Sequence, residues 1–408
     1  MYDYLIIGGG ITGVSVARLL QKKGKDNLLI LEADKEPGGL CRTKEINGHI
    51  LDIGGGHFLC SVYPEVYDFI FSHIPKKEFN SFVRVSKIDL DDNIIDYPIE
   101  SNLWQLPMEK QAQYLISAIQ SGEVLGQKEP KNYEQWIRWK LGNEVADSYM
   151  IPYNQKIWGV KPKEMDIDWL NKVPRLNTME IVLSSLSKFA DRKKMPSHST
   201  FLYPKRGGFQ VIFDAIYKKV KDRIQLNAKV KKMRREKGYW VINDTFRAKK
   251  IINTAPWSDI HTAFGKPKRI ERHIRLLKAN TVVVSLWEKP YTHDWHWLYI
   301  PDMKKRQHRE FYMKNFALAS KKTGYFTETN RKRWPGSKKP WLNKKRPIFE
   351  HVNPYAYPIP VIGHANALEK VQEYFRPLNL FGVGRWGQWK YFNMDVCIWH
   401  AMKLVEKI

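Results

Sequence analysis

Leu5-Ile6-Ile7-Gly8-Gly9-Gly10-Ile11-Thr12-Gly13 is the stretch on which the fold turns. Residues 3–7 form an apolar strand that runs into a GxGxxG turn and opens a helix from about Thr12 to Lys22. Asn27–Glu32 (NLLILE) is the next strand, so the chain begins βαβ. The glycines each serve a mechanical purpose. Gly8 permits the tight turn, Gly10 lets backbone approach a pyrophosphate, and Gly13 lets helix and strand pack closely. The helix N-terminus offers unpaired N–H groups and a positive dipole end to an anion. Glu32, closing the second strand, is placed to accept hydrogen bonds from a ribose 2′-OH. A GxGxxG turn alone is weak evidence, but with strand, helix and terminal acid it reads as a dinucleotide-binding unit.

Outward from this unit, the stretch from Pro37 to His57 is rich in glycine, as suits loops around a ligand. Phe82–Pro98 alternates like a β-hairpin turning at Asp91-Asp92-Asn93. Trp104–Ser121, Tyr133–Met150 and Asp168–Phe189 have helical periodicity, punctuated by Pro152, Pro162 and Pro174. A helix at Phe209–Val220 precedes strands at Ile224–Lys232, Gly238–Asn243 and Lys249–Asn253, and a further sheet region runs from Leu276 to Ile300. The C-terminus returns to strand (Leu378–Val383), glycine loop (Gly384–Gln388) and helix (Asp395–Val405). The expected architecture is α/β: a split Rossmann-like domain from residues 1–80, 203–265 and 365–408, an inserted helical domain at 100–195, and a mixed β-sheet substrate layer from 81–99 and 266–364. The last of these contains a basic insertion at 303–346.

The 408 residues carry a net charge of +26, which favours anionic partners. Between Arg331 and Arg346 (RKRWPGSKKPWLNKKR) eight of sixteen residues are basic and none is acidic. Basic residues interleaved with tryptophan suit nucleic acid, but the plainer reading is a solvated, lysine-biased loop, with peripheral contact to an anionic membrane face as a further candidate. No nucleic-acid partner is expected. Cys41, Cys60 and Cys397 have neither metal-ligand nor CxxC spacing, so reduced structural thiols and no metal site are expected. No apolar run reaches the ~20 residues of a membrane span, and no signal peptide precedes the first strand, so a cytoplasmic location is expected.

The turn does not decide between NAD and FAD. The following segment, Glu32-Ala33-Asp34-Lys35-Glu36-Pro37-Gly38-Gly39-Leu40-Cys41-Arg42-Thr43, has the E-x₅-GG-x-x-x-T shape of the flavoproteins that include the amine oxidases. Gly382-Val383-Gly384-Arg385 resembles that group's second flavin-contacting strand and loop. Further stretches then match in order: Asp52–His57 (DIGGGH), Tyr97–Asn102 (YPIESN), Pro152–Trp158 (PYNQKIW), Trp169–Val173, Tyr203–Gly208, Trp297–Pro301, Tyr357–Pro360 (YPIP) and Gly384–Asp395 (GRWGQWKYFNMD). Together they resemble the UDP-galactopyranose mutase family, especially its eukaryotic-type branch, across nearly the whole chain.

The resemblance implies a flavin-dependent isomerase that contracts a nucleotide-linked pyranose to a furanose, with reduced FAD acting through N5 as nucleophile at the anomeric carbon. NAD(P)H is a candidate reductant, a UDP- or dTDP-sugar the substrate, and a homo-oligomer a candidate assembly. The alternative is an FAD-dependent oxidoreductase of the amine oxidase or protoporphyrinogen oxidase type. Cofactor contacts carried over are Gly8, Gly10, Gly13, Glu32, Gly39, Leu40, Arg42, Gly56, His57, Arg84, Val230, Gly384, Arg385, Asn393 and Met394. Tyr357 and Tyr391 match diphosphate-binding tyrosines, and Arg275 a diphosphate arginine of bacterial-type members; His57, Arg275 and Tyr391 are the expected catalytic residues. A second family arginine falls on Lys172, with Arg175 close by; lysine keeps the charge but loses the bidentate fork. Met313 or Lys314 stands where eukaryotic-type members carry arginine. Tyr153, Asn154 and Trp158 resemble the nucleotide-side pocket. Plainer roles compete: core aromatics for Tyr153 and Trp158, a backbone-satisfied loop histidine for His57, and an ion pair with Glu271 for Arg275.

Overall fold

Tyr2–Ile7 lies inside a parallel arrangement, paired on one side with Leu28–Leu31 and on the other with Phe246–Asn253. The computed structural model describes residues 1–170, 176–188, 199–333 and 346–408. The sheet continues outward through Ile224–Gln225 at one edge and through Tyr239–Ile242 and Met233–Glu236 at the other. Leu380–Gly382, from the far end of the chain, pairs in parallel with the last residues of Phe246–Asn253. Alternate residues of the first strand serve opposite faces. Tyr4 and Ile6 pack with the helices Ile11–Lys22 and Met394–Lys407, whereas Leu5 and Ile7 pack against Trp240, Trp257 and Phe375. Both faces are covered, which is why the strand is a continuous apolar run. Each fully buried leucine or isoleucine there contributes ~1.5–3 kcal/mol.

The second sheet has the order Phe349–Pro358, Ala279–Trp287, Tyr325–Asn330, Arg309–Phe311, Trp297–Tyr299, Ser86–Leu90 and Asn93–Asp96. Arg309–Phe311 and Tyr325–Asn330, expected to belong to a basic insertion, are interior strands of this sheet. Their polar residues conceal them, since Thr327, Glu328, Thr329 and Asn330 are all buried. The hairpin around Asp91 is shorter than the alternation suggests. Asp91 and Asp92 both adopt left-handed φ (47° and 64°), as a two-residue hairpin turn requires, but Phe79–Val83 instead pairs with Thr200–Pro204.

The helical layer contains Met108–Ile119, Tyr133–Val145, Ile151–Trp158 and Thr178–Ser187. Pro152 does not break it. A wide turn at Ala146–Met150 passes directly into Ile151–Trp158, and proline sits in the new helix's first turn, where its missing N–H costs nothing. Of the helix read over Asp168–Phe189, Thr178–Ser187 is helical, opened by a capping box of Asn177 and Glu180, and residues 171–175 and 189 lie outside the described residues. Of the strand read over Ile224–Lys232, only Ile224–Gln225 pairs. Lys156 pins the helical layer to the second sheet, its buried Nζ donating to the carbonyls of Ile300 and Asp302 at 2.7 Å each. Among the described residues, no helix is long and apolar enough to cross a membrane.

Candidate active site

Glycine geometry at the first turn shapes a cavity of about 510 Å³ beside the parallel sheet. Gly8 has φ +106°, and a Cβ on Gly13 would stand 2.0 Å from the Gly8 carbonyl, so both positions require glycine. A Cβ on Gly10 would meet nothing within 4 Å; the backbone there faces open space at the start of Ile11–Lys22, whose N-terminus no side chain caps. Glu32 lines the cavity while its carboxylate accepts from Gly9 N–H (2.7 Å) and Asp34 N–H (2.8 Å), which fixes its rotamer. Gly39, Leu40, Arg42, His57, Val230, Arg385 and Met394, all expected at the cofactor, also line it. Arg42 is itself held by Asp34 (2.9 Å) and the Gly39 carbonyl (3.1 Å). A dinucleotide fits this donor set: open amides for a pyrophosphate, a fixed carboxylate for a ribose, and a volume typical of ligand sites.

Gly384 joins the two ends of the chain. At φ +77°, a Cβ there would stand 2.4 Å from Thr12 Oγ1, so the C-terminal loop lies directly on the first helix. Gly384 and Gly13 therefore shape the cavity without lining it. Arg385 donates to the carbonyls of Phe392 (2.8 Å) and Ala356 (2.9 Å), leaving its charge over the rings of Tyr357 and Tyr391 at 5.8 and 5.6 Å. Those two rings meet edge to face at 4.9 Å. Asn393 lies across Phe392, in a second cavity of about 630 Å³ that Tyr391 also lines.

Gly54, Gly55 and Gly56 carry His57 to the first cavity's wall. A Cβ on Gly54 would stand 1.9 Å from the Leu40 carbonyl, and one on Gly56 2.0 Å from the Phe311 ring. His57 Nδ1–H donates to the Gly55 carbonyl at 2.7 Å and its ring stacks on Phe209. Burial, assisted by the Arg385 charge, pushes His57 down to about 4, so the ring is neutral at pH 7.

A residue the sequence does not single out stands at the centre. Arg309 donates through Nη2 to the Tyr357 hydroxyl at 3.2 Å. It also donates to Glu328 Oε2 through Nε (3.0 Å) and Nη2 (2.5 Å). Glu328 is fully buried, and its other oxygen accepts Gly56 N–H at 3.0 Å. Burial alone would raise the Glu328 carboxyl; Arg309 and the nearby His308 outweigh it and hold it at about 2. Burial raises the Tyr357 phenol well above its ordinary range, so it remains a hydroxyl donor.

An aromatic wall adjoins this cluster. Trp158 meets Tyr391 and Tyr357 edge-on at 5.8 and 6.0 Å and donates to Asn154 Oδ1 at 3.1 Å. Asn154 donates in turn to the Tyr133 hydroxyl and the Met150 carbonyl. Tyr153 packs on Tyr149 and edge-on against Tyr299. Arg84 donates to Tyr299 and Ser86 and lies over Tyr97 and Trp297 at 4.2 and 4.8 Å. Tyr153, Asn154 and Trp158 are almost fully buried, so they form the floor of this wall.

Arg275 stands apart. Its side chain is 76% exposed and pairs with Glu271 at 2.5 Å, one helical turn back, so it is a surface ion pair. Met313 is buried and Lys314 exposed in a short turn, so neither brings a cation into the cluster around Arg309. Lys172 and Arg175 lie outside the described residues, as does most of the basic run between Arg331 and Arg346. Among the described residues no cluster of His, Cys, Asp and Glu is arranged to hold a metal. Arg309 left no clear signal in the sequence: His308-Arg309-Glu310-Phe311 shows no apolar alternation and lies among basic residues.

Two families match: NAD(P)-binding Rossmann-like domain over residues 6–71 and Flavin containing amine oxidoreductase over residues 100–290. A UDP-galactopyranose mutase of Mycoplasma pneumoniae is 27% identical over 180 residues, 42% of this chain and 44% of that one. A dTDP-fucopyranose mutase of Escherichia coli is 22% identical over 182 residues, 43% of this chain and 46% of that one. The chain thus spans less than half the length of these curated relatives in the matched region. A crystal structure of reduced UDP-galactopyranose mutase superimposes with a TM-score of 0.88 at 22% identity, covering 100% of this chain and 93% of the other. Over that region the chain is similar in sequence to these two mutases, and it shares the fold of the UDP-galactopyranose mutase structure.

Proposed function

We propose that the protein is an FAD-dependent mutase that interconverts the pyranose and furanose forms of a nucleotide-linked sugar, UDP-galactose or a dTDP- or UDP-linked relative. One observation carries this reading: Arg309, Tyr357 and Tyr391 converge beside Arg385 at the edge of the dinucleotide cavity. A diphosphate calls for that set of cations and hydroxyl donors. The relatives from Mycoplasma pneumoniae and Escherichia coli, named for UDP-galactopyranose and dTDP-fucopyranose, support the substrate class. Bound and reduced, FAD supplies a nucleophile at N5.

The chain's own residues do the rest. Gly10 and the following helix start receive the cofactor pyrophosphate, and Glu32 its ribose. Tyr357 and Tyr391 donate to the sugar's diphosphate while Arg309 and Arg385 balance its charge, Arg385 held in place by two carbonyls. The aromatic wall of Tyr153, Trp158 and Tyr299 takes the base side. His57, neutral and with Nδ1–H committed to Gly55, leaves Nε2 as an acceptor on the cofactor side. Lys172 or Arg175 adds a further cation to the diphosphate. NAD(P)H as reductant, a homo-oligomer, a cytoplasmic location and a peripheral membrane contact through the basic 331–346 stretch go with this reading; the net charge of +26 supports the last.

A flavin-dependent oxidoreductase is the second reading, favoured by the amine oxidoreductase match over residues 100–290. Titrating UDP into the oxidised holoprotein separates the two. Saturable binding that Tyr391→Phe weakens supports the mutase. No UDP binding, together with oxygen consumption on adding an amine, supports the oxidoreductase.

A further inference from the structure

Glu328 sits on an interior strand, and its two oxygens face different partners. Oε1 accepts Gly56 N–H at 3.0 Å, and Gly55, at φ +107°, leaves room for it: a Cβ there would stand 2.5 Å from the same oxygen. Oε2 receives both Nε and Nη2 of Arg309, whose Nη2 continues to the Tyr357 hydroxyl. An unbroken line therefore runs from His57 on the dinucleotide cavity through the Gly55-Gly56 turn, Glu328 and Arg309 to Tyr357. A carboxylate is the side chain that suits both ends. Glutamine has one accepting oxygen, so either Gly56 N–H or the guanidinium would face an amide N–H.

We propose that Glu328 is a positioning residue that couples the cofactor side of the site to its diphosphate side, resting on the nucleotide-sugar reading above. An anion arriving at Tyr357 competes with Glu328 for the Arg309 guanidinium. The carboxylate charge is then less compensated, and the hydrogen bond to Gly56 carries that change to the turn beside His57. Coupling of this kind is reciprocal: what the anion does to the cofactor's redox equilibrium, the redox state does to anion affinity.

The test uses flavin-loaded wild-type protein and the variants Glu328→Gln and Glu328→Asp. The midpoint potential of the bound flavin is measured with and without saturating UDP, alongside the UDP Kd of the oxidised form. The wild type should shift by about 30 mV or more, the two-electron equivalent of a tenfold affinity difference between redox states. Glu328→Gln should lose most of that shift while still binding flavin and UDP, and Glu328→Asp, which keeps the charge, should restore part of it. If Glu328→Gln yields no folded protein, Tyr357→Phe cuts the same line at its far end and should show the same loss. A full shift in Glu328→Gln or in Tyr357→Phe overturns the proposal, as does a wild type that binds UDP without any shift. A wild type that binds no UDP refutes the nucleotide-sugar reading and the coupling with it.

Discussion

Arg309→Met removes one half of a buried ion pair and leaves Glu328, with no exposed surface, facing an apolar side chain. Uncompensated buried charges of this sort cost ~3–5 kcal/mol. The pKa gives a parallel figure. Glu328 falls from an ordinary 4.5 to about 2 in the folded protein, worth roughly 3 kcal/mol at ~1.4 kcal/mol per pH unit. The sign follows from linkage. A depressed carboxylate contributes stability above its unfolded pKa and loses it as pH falls from about 4.5 towards about 2. Without Arg309 only His308, 3.3 Å from Oε2, is left to offset burial, so the folded pKa rises and the carboxyl is better tolerated protonated. The variant should therefore be ~3–5 kcal/mol less stable than wild type at pH 7, and the deficit should narrow as pH is lowered towards 5. Urea unfolding of both proteins across that range measures it, and adding Glu328→Gln to Arg309→Met should recover part of the loss. A deficit below ~1 kcal/mol, the scale of an exposed pair, or one that does not change with pH, would refute the charged, buried Arg309–Glu328 pair.

Gly10→Ala should fold as well as wild type, because its Cβ meets nothing within 4 Å, yet retain less FAD; equal flavin absorbance per mole of protein would remove the dinucleotide from that position. Gly13→Ala should lose both stability and flavin, since its Cβ would stand 2.0 Å from the Gly8 carbonyl; melting of the flavin-free protein distinguishes the two glycines. Tyr391→Phe should weaken UDP binding by roughly 10–100-fold, the value of one hydrogen bond to a charged acceptor (~1.5–3 kcal/mol), with flavin content unchanged; calorimetry checks both. His57, His296 and His400 are each held near 4 by burial, so the unfolded chain binds more protons between about pH 6.5 and 4 and stability should fall with pH over that window. His400→Gln should flatten the slope, and an unchanged slope would mean that His400 titrates normally.

Much of the fold is legible in the sequence because it rests on local signals. The Gly8–Gly13 turn and the glycine loop at Gly384 announce themselves through backbone geometry that few residues tolerate, and Tyr2–Ile7 through its continuous apolar run. Elements stabilised by distant contacts are not legible in this way. Arg309–Phe311 and Tyr325–Asn330 are strands because both neighbours in the sheet satisfy them, and a buried Glu328 in ETN looks like surface until its arginine is known. Pro152 looks like a stop because proline breaks helix interiors, but it occupies a first turn. The same contrast divides the site. Residues tied to glycine- or proline-bearing motifs, His57, Tyr357 and Arg385, stand out from motif alone, although Tyr357 lies on the strand Phe349–Pro358. Arg275 is expected at a diphosphate and lies on the surface, whereas the buried guanidinium comes from Arg309, whose importance depends on the strand pairing that sets it opposite Glu328.

Turnover under controlled redox state bears most closely on the mutase reading. The purified flavoprotein is incubated anaerobically with UDP-galactofuranose, once oxidised and once reduced with dithionite, and the sugar nucleotides are separated. UDP-galactopyranose is expected in the reduced sample alone, with Arg309→Met and Tyr391→Phe slower. No conversion of any UDP- or dTDP-linked sugar by the reduced protein, or equal conversion by the oxidised one, would contradict a reduced-flavin mutase.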